Sequence, residues 1–348
     1  MAENAALDIQ IGQMLKVGFR GLSIEESSHI ARDIREYHAG SVVLFDYDVP
    51  TQSAERNIAS PDQLRKLVAD LKDLAANPLL VTVDQEGGRV ARLKNRHGFP
   101  PTVSASFLGN TDHRDTTAAY AAATARTLAK MGINVNLAPV VDLNINPENP
   151  IIGGIERSFS ADPEKVTRHA RVFIKSHNRH GVLTTLKHFP GHGSSEADSH
   201  LGMVDVTEVW TENELVPYRR LIESGDVDMI MTAHIFNEKW DSDYPATLSK
   251  PVLTGILRED LGFDGVILSD DMQMEAIRAH YGLEKTIEMA ILAGVDILGF
   301  ANNSVYDEDI VPKAHGIIKN LVQEGRISEE RIKESYLRIR ALKSSSAL

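Results

Sequence analysis

The feature that most constrains the fold is the regular alternation of short apolar runs with helix-like stretches. Eight runs rich in β-branched and other apolar residues recur near residues 15–19, 41–45, 79–84, 133–138, 182–187, 228–232, 265–269 and 295–299. Runs such as LLVTVD and GVILSD are typical of parallel strands buried on both faces. Strict alternation with helices favours right-handed crossovers, and eight such units close into a barrel. The sequence therefore predicts an α/β fold, a single (β/α)8 barrel of the TIM type.

Several of the predicted helices carry start signals. Ser60-Pro61-Asp62-Gln63 has the spacing of a capping box with Pro in the first turn. Four apolar residues follow on one helical face, namely Leu64, Leu67, Val68 and Leu71. Similar signals stand at Ser23…Glu26, at Asp162-Pro163 and at Thr211…Glu214.

Length and composition favour one domain. A chain of 348 residues with 42% hydrophobic content can bury a large core, and no Pro/Ser-rich linker or low-complexity tract interrupts it. We therefore expect one catalytic barrel domain over residues 1–348, with the last residues, SSSAL, frayed.

Charge and apolar content restrict the partners. The net charge of -12 and the lack of a long basic run argue against nucleic acid. No window has about 18 uninterrupted apolar residues, and MAENAALDIQ lacks the pattern of a secretory signal. We expect no membrane association and a cytoplasmic location, unless an export signal has been removed. The absence of cysteine excludes disulfides, thiolate catalysis and cysteine-ligated metal.

Polar residues stand where the predicted strands end. In this architecture the chemistry lies at the C-terminal ends of the strands, where Asp84, Lys187 with His188, His234 and Asp270 occur. We expect these side chains to converge on one mouth.

Asp270 closes the run GVILSD and is a candidate nucleophile. A carboxylate at the barrel mouth could attack an anomeric carbon. The alternative is an N-cap for the following helix, a role that suits Asp271 better because Asp270 closes the strand and lies nearer the barrel axis.

The segment KHFPGHGSSEADSH, residues 187–200, is typical of an active-site loop. Gly191 and Gly193 permit turns that side chains would forbid, and Asp198 is close enough to His200 to orient its imidazole for proton transfer. The alternative is a surface loop with incidental polarity.

A metal site is a further alternative, with His188, His192, Asp198 and His200 as ligands. The spacings match no familiar zinc pattern, and Lys187 would repel a cation. We therefore expect no metal.

Two more segments carry candidate binding residues. In Asp84-Gln85-Glu86-Gly87-Gly88-Arg89-Val90-Ala91-Arg92, a carboxylate, a flexible turn and two arginines suit hydrogen bonding to sugar hydroxyls or an acidic substituent, although a loop with buried ion pairs fits equally. Arg157 is ambiguous because Glu156 could be a salt-bridge partner. His234, Met272 and Met274 are packing residues or pocket walls, and Asp142 and Asn144 reach the mouth or stabilise a turn.

Taken together, these motifs resemble family 3 of the glycoside hydrolases, and within it the single-domain bacterial β-N-acetylglucosaminidases. KHFPGHG followed by DSH carries the resemblance, supported by VDQEGGRVARL, FPPTVSA, NLAPVVDLN, RSFSADP and GFDGVILSDDMQM. The match runs in order from about residue 10 to about residue 300. Departures from the usual pattern are Gln85, Glu156, Ser160 and the pair Ser194-Ser195.

The resemblance implies a retaining double displacement without metal or cofactor, by which terminal N-acetylglucosamine is removed from peptidoglycan fragments or chitooligosaccharides. The family nucleophile falls on Asp270, and its acid/base on His200 with Asp198 as partner. Contacts to the sugar in the subsite before the cleaved bond fall on Asp84, Arg92, Arg157, Lys187 and His188.

Other activities remain open at the level of sequence. A phosphorylase would use phosphate in place of water, and a neutral or cationic histidine would not repel that anion as a carboxylate would. A β-glucosidase of the same family is less expected, because those enzymes usually take their acid/base from a second domain. A catalytically silent sugar-binding barrel and a metal-dependent hydrolase are the remaining alternatives.

Overall fold

The eight predicted strands form a closed parallel barrel. The structure, a computed structural model, describes residues 5–198 and 202–345, with the backbone alone for residues 278 and 279. The barrel strands are β1 (Leu15–Gly18), β2 (Ser41–Leu44), β3 (Leu80–Val83), β4 (Val135–Asn136), β5 (Leu183–Phe189), β6 (Met229–Thr232), β7 (Val266–Asp271) and β8 (Ile297–Phe300). Each pairs in parallel with its neighbours in chain order, and β1 pairs with β8 to close the barrel. The predicted TIM-type fold is confirmed.

Helices surround the barrel; most connect successive strands, one precedes the first strand and two follow the last. The α-helices are α1 (Leu7–Gln13), α2 (His29–Arg35), α3 (Pro61–Leu74), α4 (Ala105–Thr111), α5 (Arg114–Lys130), α6 (Pro163–Asn178), α7 (Val216–Glu223), α8 (Glu275–Tyr281), α9 (Leu283–Ala293), α10 (Ile310–Gln323) and α11 (Glu329–Ser345). A helix of π type covers Pro251–Asp260, and short 3-10 turns cover Asn95–His97, Gly153–Ile155, Glu212–Leu215 and Ala246–Leu248. Two small ribbons pair Gln85–Gly87 with Val90–Ala91 and Val204–Asp205 with Ile235–Phe236.

The start of α3 follows the predicted capping signal. Ser60 Oγ accepts a hydrogen bond from the Gln63 backbone N–H at 3.3 Å. The Gln63 side chain reaches back and accepts from the Ala59 N–H at 2.9 Å, one residue before the cap. The apolar face is buried as predicted, with Leu64, Leu67, Val68 and Leu71 against the barrel core.

The other three signals differ in outcome. Asp162 caps α6 by accepting from the Glu164 N–H at 3.0 Å. Thr211 precedes a 3-10 turn, but its side chain makes no capping bond. The start predicted at Ser23 is wrong, because α2 begins only at His29. A polar capping pattern that is not followed directly by an apolar helical face is weak evidence for a helix start.

The hydrophobic core contains buried side chains from all eight strands, with helices packed around them. Of the residues in SSSAL, Ser344 and Ser345 complete α11, and their hydroxyl groups donate to the carbonyl oxygens of Arg340 and Leu342. The remaining residues, 346–348, lie outside the described part of the chain. Within the described part, no helix is long and apolar enough to cross a bilayer.

Candidate active site

A cavity of about 270 Å³ opens at the C-terminal ends of the barrel strands. The predicted site residues that the structure describes all line it, namely Asp84, Arg92, Arg157, Lys187, His188, Asp198 and Asp270. The predicted acid/base, His200, lies outside the described residues. The cavity is at the small end of the range for small-molecule sites, which suits one sugar ring better than a long chain.

A buried ion-pair network forms one wall. Lys187, near the end of β5, places Nζ 2.7 Å from Asp84 Oδ1 and 2.6 Å from Glu86 Oε1. Arg92 Nη2 lies 3.5 Å from the other oxygen of Asp84. Although burial alone would raise the pKa of Asp84, Lys187 and Arg92 hold it well below its ordinary value. Asp84 is therefore ionised, and its oxygens can accept hydrogen bonds.

Arg157 makes a bidentate pair with Glu86. Its Nε and Nη2 donate to the two carboxylate oxygens at 2.8 Å each. Burial disfavours the charged form of both residues, yet the ion pair between them lowers the pKa of Glu86 and raises that of Arg157. The alternative prediction that Glu156 pairs with Arg157 is wrong, because Glu156 is exposed and has a left-handed backbone conformation. Sequence reasoning did not single out Glu86, whose partner lies 71 residues away.

Asp142 holds the two histidines at the start of the loop after β5. It accepts from the backbone N–H of His192 at 2.8 Å, and lies 2.7 Å from His188 Nδ1. Arg157 Nη2 approaches His188 Nε2 at 3.2 Å. Arginine can only donate, so Nε2 accepts and Nδ1 carries the proton toward Asp142. Asp142 is buried and is not among the residues that line the cavity, so of its two possible roles the structure shows the stabilisation of a turn.

The loop after β5 is anchored from below by Glu214, a residue that sequence reasoning treated only as a helix signal. Glu214 accepts from the Gly193 N–H at 2.9 Å and from Ser194 Oγ at 2.6 Å. A Cβ on Gly193 would lie 1.8 Å from the Leu143 carbonyl oxygen, and Gly191 has a φ of +121°. Both glycines are needed for the close approach and the turn. Burial raises the pKa of Glu214 to about 7.

His192 is fixed within the same loop. Its Nδ1 lies 2.6 Å from Ser195 Oγ, and Asn149 Nδ2 donates to both the His192 carbonyl and Ser195 Oγ. Burial lowers the pKa of His192 to about 4, so the ring is neutral near pH 7. The serine that departs from the usual family pattern thus forms part of the support of this loop.

Asp270 and Asp271 lie together at the end of β7. The Asp271 N–H donates to Asp270 Oδ1 at 2.8 Å. Asp271 Oδ1 accepts from the N–H groups of Gln273 and Ala301, and burial raises its pKa to about 6. The capping role predicted for Asp271 is wrong, because α8 begins only at Glu275. Asp271 instead braces the end of β7 against the segment after β8.

Three predicted pocket-wall candidates are packing residues. His234 is buried and contacts Thr247 Oγ1 and the Asp271 carbonyl, while Met272 and Met274 are buried in the core region. The methionine that lines the cavity is Met231.

No group of three or more potential metal ligands occurs among the described His, Asp and Glu side chains. His188 already contacts Asp142 and Arg157 through its two ring nitrogens. This arrangement favours hydrogen-bonding chemistry over cation binding at that end of the loop.

The fold and this arrangement agree with a match to known proteins. A family model described as the glycosyl hydrolase family 3 N-terminal domain matches residues 6–342. The chain belongs to glycoside hydrolase family 3. It is therefore a glycoside hydrolase, and the family is the one that the sequence motifs indicated.

Relatives within glycoside hydrolase family 3 include a β-hexosaminidase of Tolumonas auensis, 37% identical over 273 residues, which are 78% of this chain and 78% of that protein. The structure of a family 3 β-N-acetylglucosaminidase from Paenibacillus superposes with a TM-score of 0.89 at 35% identity and covers 98% of this chain. This chain spans 63% of that protein. A β-N-acetylhexosaminidase from Beutenbergia cavernae gives a TM-score of 0.87 at 29% identity, with 98% and 99% of the two chains covered.

Proposed function

We propose that this family 3 chain is a retaining exo-β-N-acetylglucosaminidase. The observation that carries the proposal is that Asp270 from β7 and Asp198 from the loop after β5 line the same small cavity. The buried ion-pair network forms one wall of that cavity. The family relatives named as hexosaminidases support the same substrate class.

The wall would hold the terminal sugar. Asp84 offers ionised oxygens to hydroxyl groups, while Arg92, Arg157, Lys187 and His188 line the same cavity. Lys187 and Arg157 are locked by Glu86, so the donors are preorganised before the sugar arrives. Such rigid positioning lowers the entropy cost of bringing the anomeric carbon to Asp270.

The reaction then proceeds in two displacements. A carboxylate oxygen of Asp270 attacks C1, the glycosidic C–O bond breaks, and protonated His200 gives its proton to the leaving oxygen. Neutral His200 next takes a proton from water, whose oxygen attacks C1 and releases Asp270. Asp198 orients the imidazole, and a histidine suits both roles because it titrates near neutral pH.

The natural substrates proposed are peptidoglycan fragments and chitooligosaccharides that end in N-acetylglucosamine. The small cavity favours removal of one sugar at a time from the non-reducing end. Digestion of each substrate type, followed by mass spectrometry, should show the loss of single N-acetylhexosamine units. Release of disaccharides would contradict exo action.

The first test is turnover of 4-nitrophenyl β-N-acetylglucosaminide beside the matching β-glucoside, each with and without phosphate. We expect selective turnover of the acetamido sugar and free sugar as the product in both buffers. NMR of the first product should show the β-anomer, as a retaining mechanism requires.

Three outcomes would contradict the proposal. Sugar 1-phosphate formed only with phosphate would indicate a phosphorylase, and preference for the glucoside would indicate a glucosidase. Binding of N-acetylglucosamine without turnover of either substrate would indicate a silent sugar-binding barrel.

A further inference from the structure

Lys16 is a buried charged residue on the cavity floor to which the proposed mechanism gives no role. It lies within β1, between the apolar residues Leu15 and Val17, and the residue is only 5% exposed. It nevertheless lines the cavity. Burying an ammonium group costs free energy unless nearby charges compensate, so its surroundings indicate its role.

The strand register directs Lys16 toward β7. Lys16 is level with Gly299 of β8, and Gly299 is level with Asp271 of β7. A Cβ on Gly299 would lie 3.0 Å from Lys16 Cε, 3.3 Å from Lys16 Nζ and 3.2 Å from the Ser269 carbonyl oxygen. The lysine side chain therefore occupies the space left by the glycine and reaches toward the residues just before Asp270.

The charges that face Lys16 come from three neighbouring parts of the barrel. Asp84 faces it from the end of β3, Asp270 and Asp271 from β7, and Lys187 from β5. Burial lowers the pKa of Lys16, and the three carboxylates act against that effect. Lys187 is already paired with Asp84. The charge of Lys16 thus acts on the two carboxylates of β7 as well as on Asp84.

We propose that Lys16 is a positioning residue whose positive charge keeps Asp270 ionised at mildly acidic pH. An opposite charge nearby favours the ionised form of a carboxylate, and only the ionised form can attack the sugar. The inference rests on the proposed role of Asp270 as nucleophile. Gly299 contributes to this arrangement, because a Cβ there would crowd the end of the Lys16 side chain.

The test is the pH dependence of kcat/KM for 4-nitrophenyl β-N-acetylglucosaminide in the wild type, Lys16→Met and Lys16→Gln. This substrate hardly needs a proton donor, so its acid limb reports the nucleophile in the free enzyme. We expect the limb to move to higher pH by about one unit in both variants. At high pH the difference between the variants and the wild type should diminish.

Lys343→Met is the matched control. Lys343 is also a buried lysine, but it lies at the opposite end of the barrel, where Nζ contacts Gln13 Oε1 and the Gly40 carbonyl. Its loss should leave the acid limb unchanged, while circular dichroism checks the fold of every variant.

Several results would overturn the inference. The first is an unshifted acid limb in folded Lys16 variants. The second is a raised KM alone, which would indicate a direct substrate contact. The third is the loss of folding in both neutral variants, which would make Lys16 a structural residue. An inactive wild type would instead refute the proposed function. The two failures are therefore distinguishable.

Discussion

At the scale of single residues, the proposed roles of Asp270 and His200 differ in how strongly they depend on the leaving group. Asp270 must form a bond to every substrate, whereas His200 matters only when the departing oxygen needs a proton. The two side chains can therefore be separated by the choice of substrate.

Asp270→Asn should abolish turnover of both 4-nitrophenyl β-N-acetylglucosaminide and a chitooligosaccharide. His200→Ala should slow the oligosaccharide by about 10²–10⁴-fold, the usual contribution of general acid–base catalysis, and the nitrophenyl substrate far less. Steady-state kinetics on both substrates checks the prediction. Equal losses in His200→Ala would contradict its role as the acid.

Glu86 is the residue on which the charged wall depends. Glu86→Gln would leave Arg157 and Lys187 without a shared counter-charge, and breaking a buried pair typically costs about 3–5 kcal/mol. We expect a loss of this size in the free energy of unfolding, measured in urea. Asp62→Asn is the control, because the exposed pair of Asp62 with Arg65 should contribute at most about 1 kcal/mol. Equal effects would mean that the wall does not depend on Glu86.

The residues that the sequence revealed are those that follow apolar strands, such as Asp84, Lys187 and Asp270. Glu86 and Lys16 were missed because their importance comes from partners far away in the chain. A lone charge inside an apolar run was the available signal for Lys16, yet periodicity alone cannot say which cavity the charge faces. The position of His200 relative to Asp198 stays a prediction.

At the scale of elements, the loop after β5 depends on Glu214. The strands themselves were predictable because continuous apolar runs mark buried parallel strands, and all eight were located within a few residues. Helix starts were less predictable: the same spacing of polar residues occurs at Ser60, which caps α3, and at Thr211, which makes no capping bond. The contact of Glu214 with Gly193 was not visible in either pattern.

Glu214 should make the stability of the chain pH-dependent. Its folded-state pKa of about 7 lies above the ordinary value of 4.5, so the folded chain binds a proton that the unfolded chain releases between these values. The free energy of unfolding should therefore fall as pH rises from about 4.5 to about 7, by up to about 1.4 kcal/mol per pH unit. Urea unfolding of Glu214→Gln should lack this contribution. An identical slope in the variant and wild type would refute it.

At the scale of the whole molecule, α11 ties the last part of the chain to the base of the barrel. Lys343 Nζ contacts Gln13 Oε1 at 2.6 Å and the Gly40 carbonyl at 2.9 Å, just before β1 and β2. Burial lowers the pKa of Lys343 from 10.5 to about 7. The unfolded chain therefore binds a proton that the folded chain does not between these values.

Stability should accordingly rise as pH increases from about 7 to about 10.5, since unfolding then takes up a proton. Lys343→Met should remove part of that rise, up to about 1.4 kcal/mol per pH unit. Urea unfolding at pH 7 and pH 9.5 for the wild type and variant gives the comparison. If both proteins gain equally, the buried lysine makes no such contribution.

Because β1 pairs with β8, the barrel can close only after its last strand has been synthesised. The strand that carries Lys16 is among the first to be made, and its neighbour, which carries Gly299, is the last strand of the barrel. Until that strand leaves the ribosome, β1 has an unpaired edge and the floor of the cavity is incomplete. A nascent chain that ends before β8 should therefore display an open sheet and bind no sugar.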